Sequence, residues 1–296
     1  MPTLDDMTGP LLATRPGRHD RSGRRGAARS RLWRPLAVVA AVAAVVAGTV
    51  AALTVGHSKV SAHACTVVSS AGPTYTLTPE QAQNAAIIAA VAFKAGLPDH
   101  AVTVALATSL QETKLRNLPY GDRDSVGLFQ QRPSEGWGTQ AQLLDPVYST
   151  SAFYGGLTRV PGWQTMSVTD AAQAVQRSAD ASAYAVWEDE ARALAIALTG
   201  EVPAGLSCQL SGFAGAAPAP TALGQALSNE MGSDLLGVPV GTKTGWQVAA
   251  WSVAHAYNYH VRSVAFAGMI WQPGSGQWKS DTHQPAPQAV TVLTGA

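Results

Sequence analysis

Glu112 lies in the stretch SLQETKLRNL, residues 109–118, near the end of a segment that reads as a helix. At about 100° per residue, Ala101, Ala105, Thr108 and Ser109 share its side of that helix. Side chains this small let another element approach closely. Val102, Leu106 and Leu110 form the greasier neighbouring stripe. A carboxyl at such an edge is partly desolvated, which raises its pKa and lets it deliver a proton near neutral pH. The opposing reading makes Glu112 a surface acid paired with Lys114 or Arg116.

A glycine- and glutamine-rich stretch follows, GDRDSVGLFQQRPSEGWG. Gly121, Gly127, Gly136 and Gly138 permit tight turns. Gln130 and Gln131 offer amide donors and acceptors suited to sugar hydroxyls and N-acetyl groups. Tyr120 and Trp137 offer flat apolar faces for sugar rings, whereas Phe129 suits core packing better. Asp122 and Asp124 are the nearest candidates for a second carboxylate, although their spacing is equally that of a solvated turn.

ALATSLQETKLRNL followed by GDRDSVGLFQQRPSEGWGT resembles the lytic transglycosylase family of the lysozyme-like superfamily, in an actinobacterial-looking form. The likeness covers about residues 78 to 200. It implies that Glu112 is the catalytic acid, with Thr113 where serine is more usual. Gly127-Leu128-Phe129-Gln130 then falls on the loop that lines the cleft, and Gln176 in AAQAVQRS and Tyr184 fall on the later pieces. The implied reaction cleaves the β-1,4 bond between N-acetylmuramic acid and N-acetylglucosamine in peptidoglycan strands, without a cofactor. A hydrolase commonly adds a second carboxylate. One obvious acid favours the transglycosylase. Two alternatives stay open: a non-catalytic wall-binding or scaffold protein that keeps the fold, and a wall-opening component of a secretion or conjugation system.

These residues need helices to hold them. Thr78, Pro79 and Gln81 form a capping box and first turn, and Gly96 suits the stop. A second helix runs from near Asp99 to near Leu115. Asp145 with Pro146, and Ser167 with Asp170, mark two further starts, and a last helical segment closes at Gly200. Strand-like alternation is scarce between residues 78 and 200, so this range reads as α-rich; the resemblance implies a lysozyme-like domain over 78–208. A small-residue and proline linker covers 209–224. One helix, then VRSVAFAGMIW, a turn at PGSG and QAVTVLTG, make 225–296 a small α+β domain. This part resembles the zinc D-Ala-D-Ala carboxypeptidase fold. The metal signature of that family is missing, and His255, His260, Asp281 and His283 lack zinc-site spacing, so a metal-free module for wall or partner contact is expected.

Of the chain's 296 residues, 46% are apolar and 13% charged, with a net charge of +1. The balance is uneven: eight of the 20 basic residues are arginines up to Arg34, and the other twelve face sixteen acids. Residues 1–35 read as a disordered basic segment. An uncharged run from Leu36 to Gly56 follows at once, which argues against nucleic acid as the partner. The run is long enough to span a membrane as one helix, with the basic head in the cytoplasm and the remainder outside behind a stalk at 57–77. AHA at 62–64 is an acceptable signal-cleavage site, but the length of the run and of the head favours an uncleaved anchor. Cys65 and Cys208 fall beyond it, in an oxidising compartment, and bracket the Glu112 segment. A disulfide between them is worth about 4–5 kcal/mol in the chain-entropy model.

Overall fold

Thr78 caps the first helix, α1 (Pro79–Lys94), as the sequence predicts. Its hydroxyl accepts from the Gln81 amide N–H and the Gln81 side chain accepts from the Thr78 N–H. The computed structural model describes residues 63–69, 72–176, 182–281 and 288–295. The basic segment 1–35, the apolar run 36–56 and the first part of the expected stalk lie outside them. Among the described residues, no helix is long and apolar enough to cross a membrane.

Helix α2 (Asp99–Thr113) forms the centre of the helical part, and its residues 101–110 are all buried. No charge occurs in AVTVALATSL, so the helix is covered on every side. Its Thr103 and Thr108 hydroxyls turn back onto the Asp99 and Val104 carbonyls, which satisfies them inside the core. Around it lie α1, α4 (Pro146–Leu157), α5 (Val168–Gln176) and α6 (Glu188–Leu198), with the short α3 (Gln140–Leu143) ahead of α4. The small face of Ala101, Ala105, Thr108 and Ser109 is fully buried. Asp145 caps α4 through the Val147 N–H, and Ser167 accepts from the Asp170 N–H ahead of α5.

The expected stalk folds differently from His63 onward. It supplies β1 (His63–Val68) and β2 (Thr74–Leu77), which pair with β3 (Leu206–Leu210) in the order β2-β1-β3, all antiparallel. Cys65 and Cys208 face each other in that register and are bonded, across 143 residues of sequence. The first sheet thus ties together the two ends of the helical part.

Beyond β3 come α7 (Ala222–Met231), α8 (Thr242–Ala254), α9 (Ala256–Tyr259) and a second antiparallel sheet. Its strands β4 (Val261–Phe266), β5 (Met269–Gln272), β6 (Gln277–Ser280) and β7 (Thr291–Thr294) run in the order β6-β5-β4-β7. The described residues from His63 on are therefore α+β, with two small antiparallel sheets in one compact unit. The proline-rich stretch before α7 is docked rather than free: the Ala214 N–H donates to the Tyr257 carbonyl, and the His260 ring stacks on Phe213. Strand β3 also joins the two parts. The Trp271 and Trp278 indoles donate to the Cys208 and Leu206 carbonyls, and the Leu210 N–H donates to Pro273 in the predicted turn. Gly200, just past α6, has φ +78°, and a Cβ there would stand 2.0 Å from the Lys243 carbonyl oxygen at the start of α8. Only glycine allows that approach.

Candidate active site

The chain reverses immediately after Glu112. Lys114 and Leu115 both adopt left-handed backbone, with φ of 56° and 60°. For non-glycine residues this costs on the order of 1–2 kcal/mol each. Two side chains of α1 hold the reversal: Gln81 Nε2 donates to the Lys114 carbonyl and buried Asn84 Nδ2 to the Leu115 carbonyl, both at 2.8 Å. Glu112 is thereby fixed in the last turn of α2.

The loop after it is bonded to the same turn. Ser109 and Thr113 hydroxyls both donate to the Leu128 carbonyl, at 3.1 and 3.0 Å. The next carbonyl, that of Phe129, accepts from Gln176 Nε2 of α5 at 3.0 Å. Thr113 thus clamps the loop through its hydroxyl. Gly127, Gly136 and Gly138 take positive φ, and Gly121 does not.

Asp124 braces the far side of the loop. Its carboxylate accepts from the Ser134 N–H at 2.8 Å, from Arg132 Nε at 2.9 Å and from the Ser134 hydroxyl at 3.0 Å. The Ser134 N–H first, and then the Arg132 guanidinium, hold this carboxyl down to a pKa of about 2. Asp122 is 92% exposed beside Arg123.

Glu112 Oε1 accepts a hydrogen bond from the Tyr184 hydroxyl at 3.1 Å, and Tyr184 is itself buried. Burial pushes the Glu112 carboxyl above its ordinary value, against the opposing pull of the Tyr184 hydroxyl and the Lys114 charge. A carboxyl in this state is suited to giving up a proton to a bound group. Lys114 Nζ sits 3.7 Å over the Trp187 ring, and the Trp187 indole donates to Gln111 Oε1 at 2.7 Å. Burial lowers the Lys114 pKa, although Glu190 and Glu112 act to raise it. Burial likewise raises Glu190, against Lys114.

The expected binding residues fall into four groups. Tyr184 touches Glu112, and Gln176 and Trp137 line one pocket of about 670 Å³. Tyr120 is 65% exposed at the loop's edge. Gln130 and Gln131 serve the loop itself. Gln130 Nε2 donates to the Tyr120 and Gly127 carbonyls, packing where a side chain on Gly121 would stand. Gln131 is 2% exposed and donates to the Ser149 carbonyl. Its place in the core differs from the expected sugar-facing amide: the backbone bridges to Val126 and the side chain is bonded to Ser149 inside the fold. Phe129 is core, stacked on Phe153 at 4.6 Å.

Sequence reasoning missed Gln111, Trp187 and Glu190. The signal for Trp187 was its spacing from Tyr184 in AYAVWEDE, which puts two aromatic residues one turn apart ahead of α6. In the C-terminal part, His255 is buried between the Trp251 carbonyl (2.9 Å) and Glu230 (3.3 Å), and His260 Nε2 bonds to the Ala214 carbonyl. Among the described residues, no three His, Cys, Asp or Glu side chains gather to hold a metal ion. No protein-family model matches the chain, and no curated protein matches it.

Proposed function

We propose that the chain is a peptidoglycan lytic transglycosylase with a lysozyme-like helical part, anchored by residues 36–56 with the described unit outside the cell. The observation that carries this reading is the partly buried Glu112 carboxyl, raised by burial and held by the Tyr184 hydroxyl at the end of a core helix. The motif resemblance of residues 105–118 and 121–139 supports it. In the reaction, Glu112 gives its proton to the glycosidic oxygen as the bond from muramic acid C1 breaks. The resulting carboxylate then takes the proton of the muramic acid C6 hydroxyl, whose oxygen bonds to C1. The anhydro ring closes without water and Glu112 is protonated again.

Asp122 and Asp124 fit a second catalytic carboxylate poorly. Asp122 stands in solvent, and both Asp124 oxygens are occupied within the loop. Glu190 is the specific observation for a second reading, a two-carboxylate hydrolase, since it shares the Lys114 charge with Glu112.

Digestion of purified peptidoglycan by the full-length protein tests both. Glu112→Gln keeps shape and hydrogen bonds but removes the transferable proton, and cleavage should fall by about 10²–10⁴-fold while strands still bind. Mass spectrometry should find anhydro-muropeptides, one water lighter than hydrolysed ones and inert to borohydride. Reducible ends with a severe Glu190→Gln defect would establish the hydrolase. Strand binding without any product, indifferent to Glu112→Gln, would leave a wall-binding protein.

A further inference from the structure

The pocket beside the loop contains one charge that the fold does not use. Its walls are Glu135, Trp137, Gly156, Arg159, Val175 and Gln176. Its volume, about 670 Å³, lies within the ~300–1,000 Å³ typical of small-ligand sites. Glu135 is paired with Arg132, which it shares with Asp124. Arg159 follows α4 and is exposed, and among the described residues it has no ion-pair or side-chain hydrogen-bond partner. Trp137, Val160 and Val175 supply the apolar part of an otherwise polar lining, a surface on which a sugar ring or acyl group can pack.

The pocket is also joined to the loop beside Glu112. Gln176 lines it while donating to the Phe129 carbonyl, and the adjacent Leu128 carbonyl is held by Thr113, the neighbour of Glu112.

Resting on the glycan-cleaving reading above, we infer that Arg159 binds a carboxylate carried by the glycan strand and that this pocket sets a preference for acidic over neutral strands. A guanidinium offers a planar fork that matches a carboxylate with two parallel hydrogen bonds. The strand has two sources of that group: the lactyl carboxylate of an unsubstituted muramic acid, and the free carboxylates of a stem peptide.

Binding measured on the full-length chain carrying Glu112→Gln, which separates binding from turnover, tests this. Three probes are compared: strands with stem peptides, strands stripped by an amidase to leave the lactyl carboxylate, and a neutral oligomer of N-acetylglucosamine. Adding Arg159→Ala should weaken the carboxylate-bearing strand by roughly tenfold and leave the neutral oligomer unchanged. Arg159→Lys, with the charge but not the fork, should fall between. A loss confined to peptide-bearing strands assigns the stem, and a loss that survives amidase treatment assigns the lactyl group. Equal binding of all three probes with and without Arg159 overturns the inference while strand binding itself stands. An equal loss on the neutral oligomer overturns it too. Failure of every probe to bind removes the glycan-cleaving reading and this inference together.

Discussion

The hydroxyl of Tyr184 donates to Glu112 Oε1 across 72 residues of sequence, at 3.1 Å. This bond stabilises the charged carboxylate and so opposes the effect of burial. Tyr184→Phe should therefore raise the Glu112 pKa further; under the proposed reaction, in which Glu112 acts protonated, the alkaline limb of kcat/KM should move to higher pH. The fold should lose about 1 kcal/mol. A limb that stays in place or moves down would remove Glu112 as the acid that the profile reports.

Burial of Glu112 also links folding to pH. Between the ordinary and the raised values, the folded chain keeps a proton that the unfolded chain has released. The group's contribution to stability is complete below the unfolded value and is lost as pH rises through the folded one. Glu112→Gln should consequently melt above the wild type at neutral pH, with the gap closing in acid. Paired thermal melts across pH check this, and a variant less stable than wild type at neutral pH contradicts it.

Asp124 behaves in the opposite sense. Its depressed pKa means that the bonds to Ser134 and Arg132 hold at all ordinary pH and are lost only as pH falls through about 2. Asp124→Asn should speed hydrogen exchange at the Ser134 amide and cost cleavage far less than Glu112→Gln. Asp122→Asn should be silent in both measurements. A cleavage defect as severe as that of Glu112→Gln at either position would restore these acids as catalytic candidates.

Gly200→Ala introduces a Cβ against the Lys243 carbonyl at a left-handed position. Strain and overpacking together should cost roughly 2–5 kcal/mol in urea unfolding. An unchanged midpoint would mean that α6 and α8 separate without penalty.

Much of the helical framework was legible because its signals are local. Thr78 with Gln81, Asp145 with Pro146 and Ser167 with Asp170 each announce a helix within four residues, and each cap bond forms, that of Asp145 with the Val147 N–H. Strands β1 and β2 were not legible: they are short, and β1 is paired on one side with β3, which lies far along the chain. Glu112 could be singled out because an acid among small apolar neighbours is unusual for a core helix. Gln131 shows the limit. An amide suits a sugar and a backbone carbonyl equally, and only the bridge to Val126 decides which one it meets. Trp187 and Glu190 were hidden for another reason, since their relation to Glu112 passes through Lys114, whose left-handed backbone no spacing rule anticipates.

The Cys65–Cys208 bond has a mechanical consequence. A pull between the two ends of the chain enters through β1 and reaches Cys65 within its first residues. From there the covalent path crosses directly to β3, and the 143-residue span between the cysteines is bypassed. The hydrogen bonds that position Glu112 belong to that span, so they are not in series with the load. Tension on the described unit would be borne by a sulfur–sulfur bond and by the strand beyond it, while the turn that holds Glu112 stays slack.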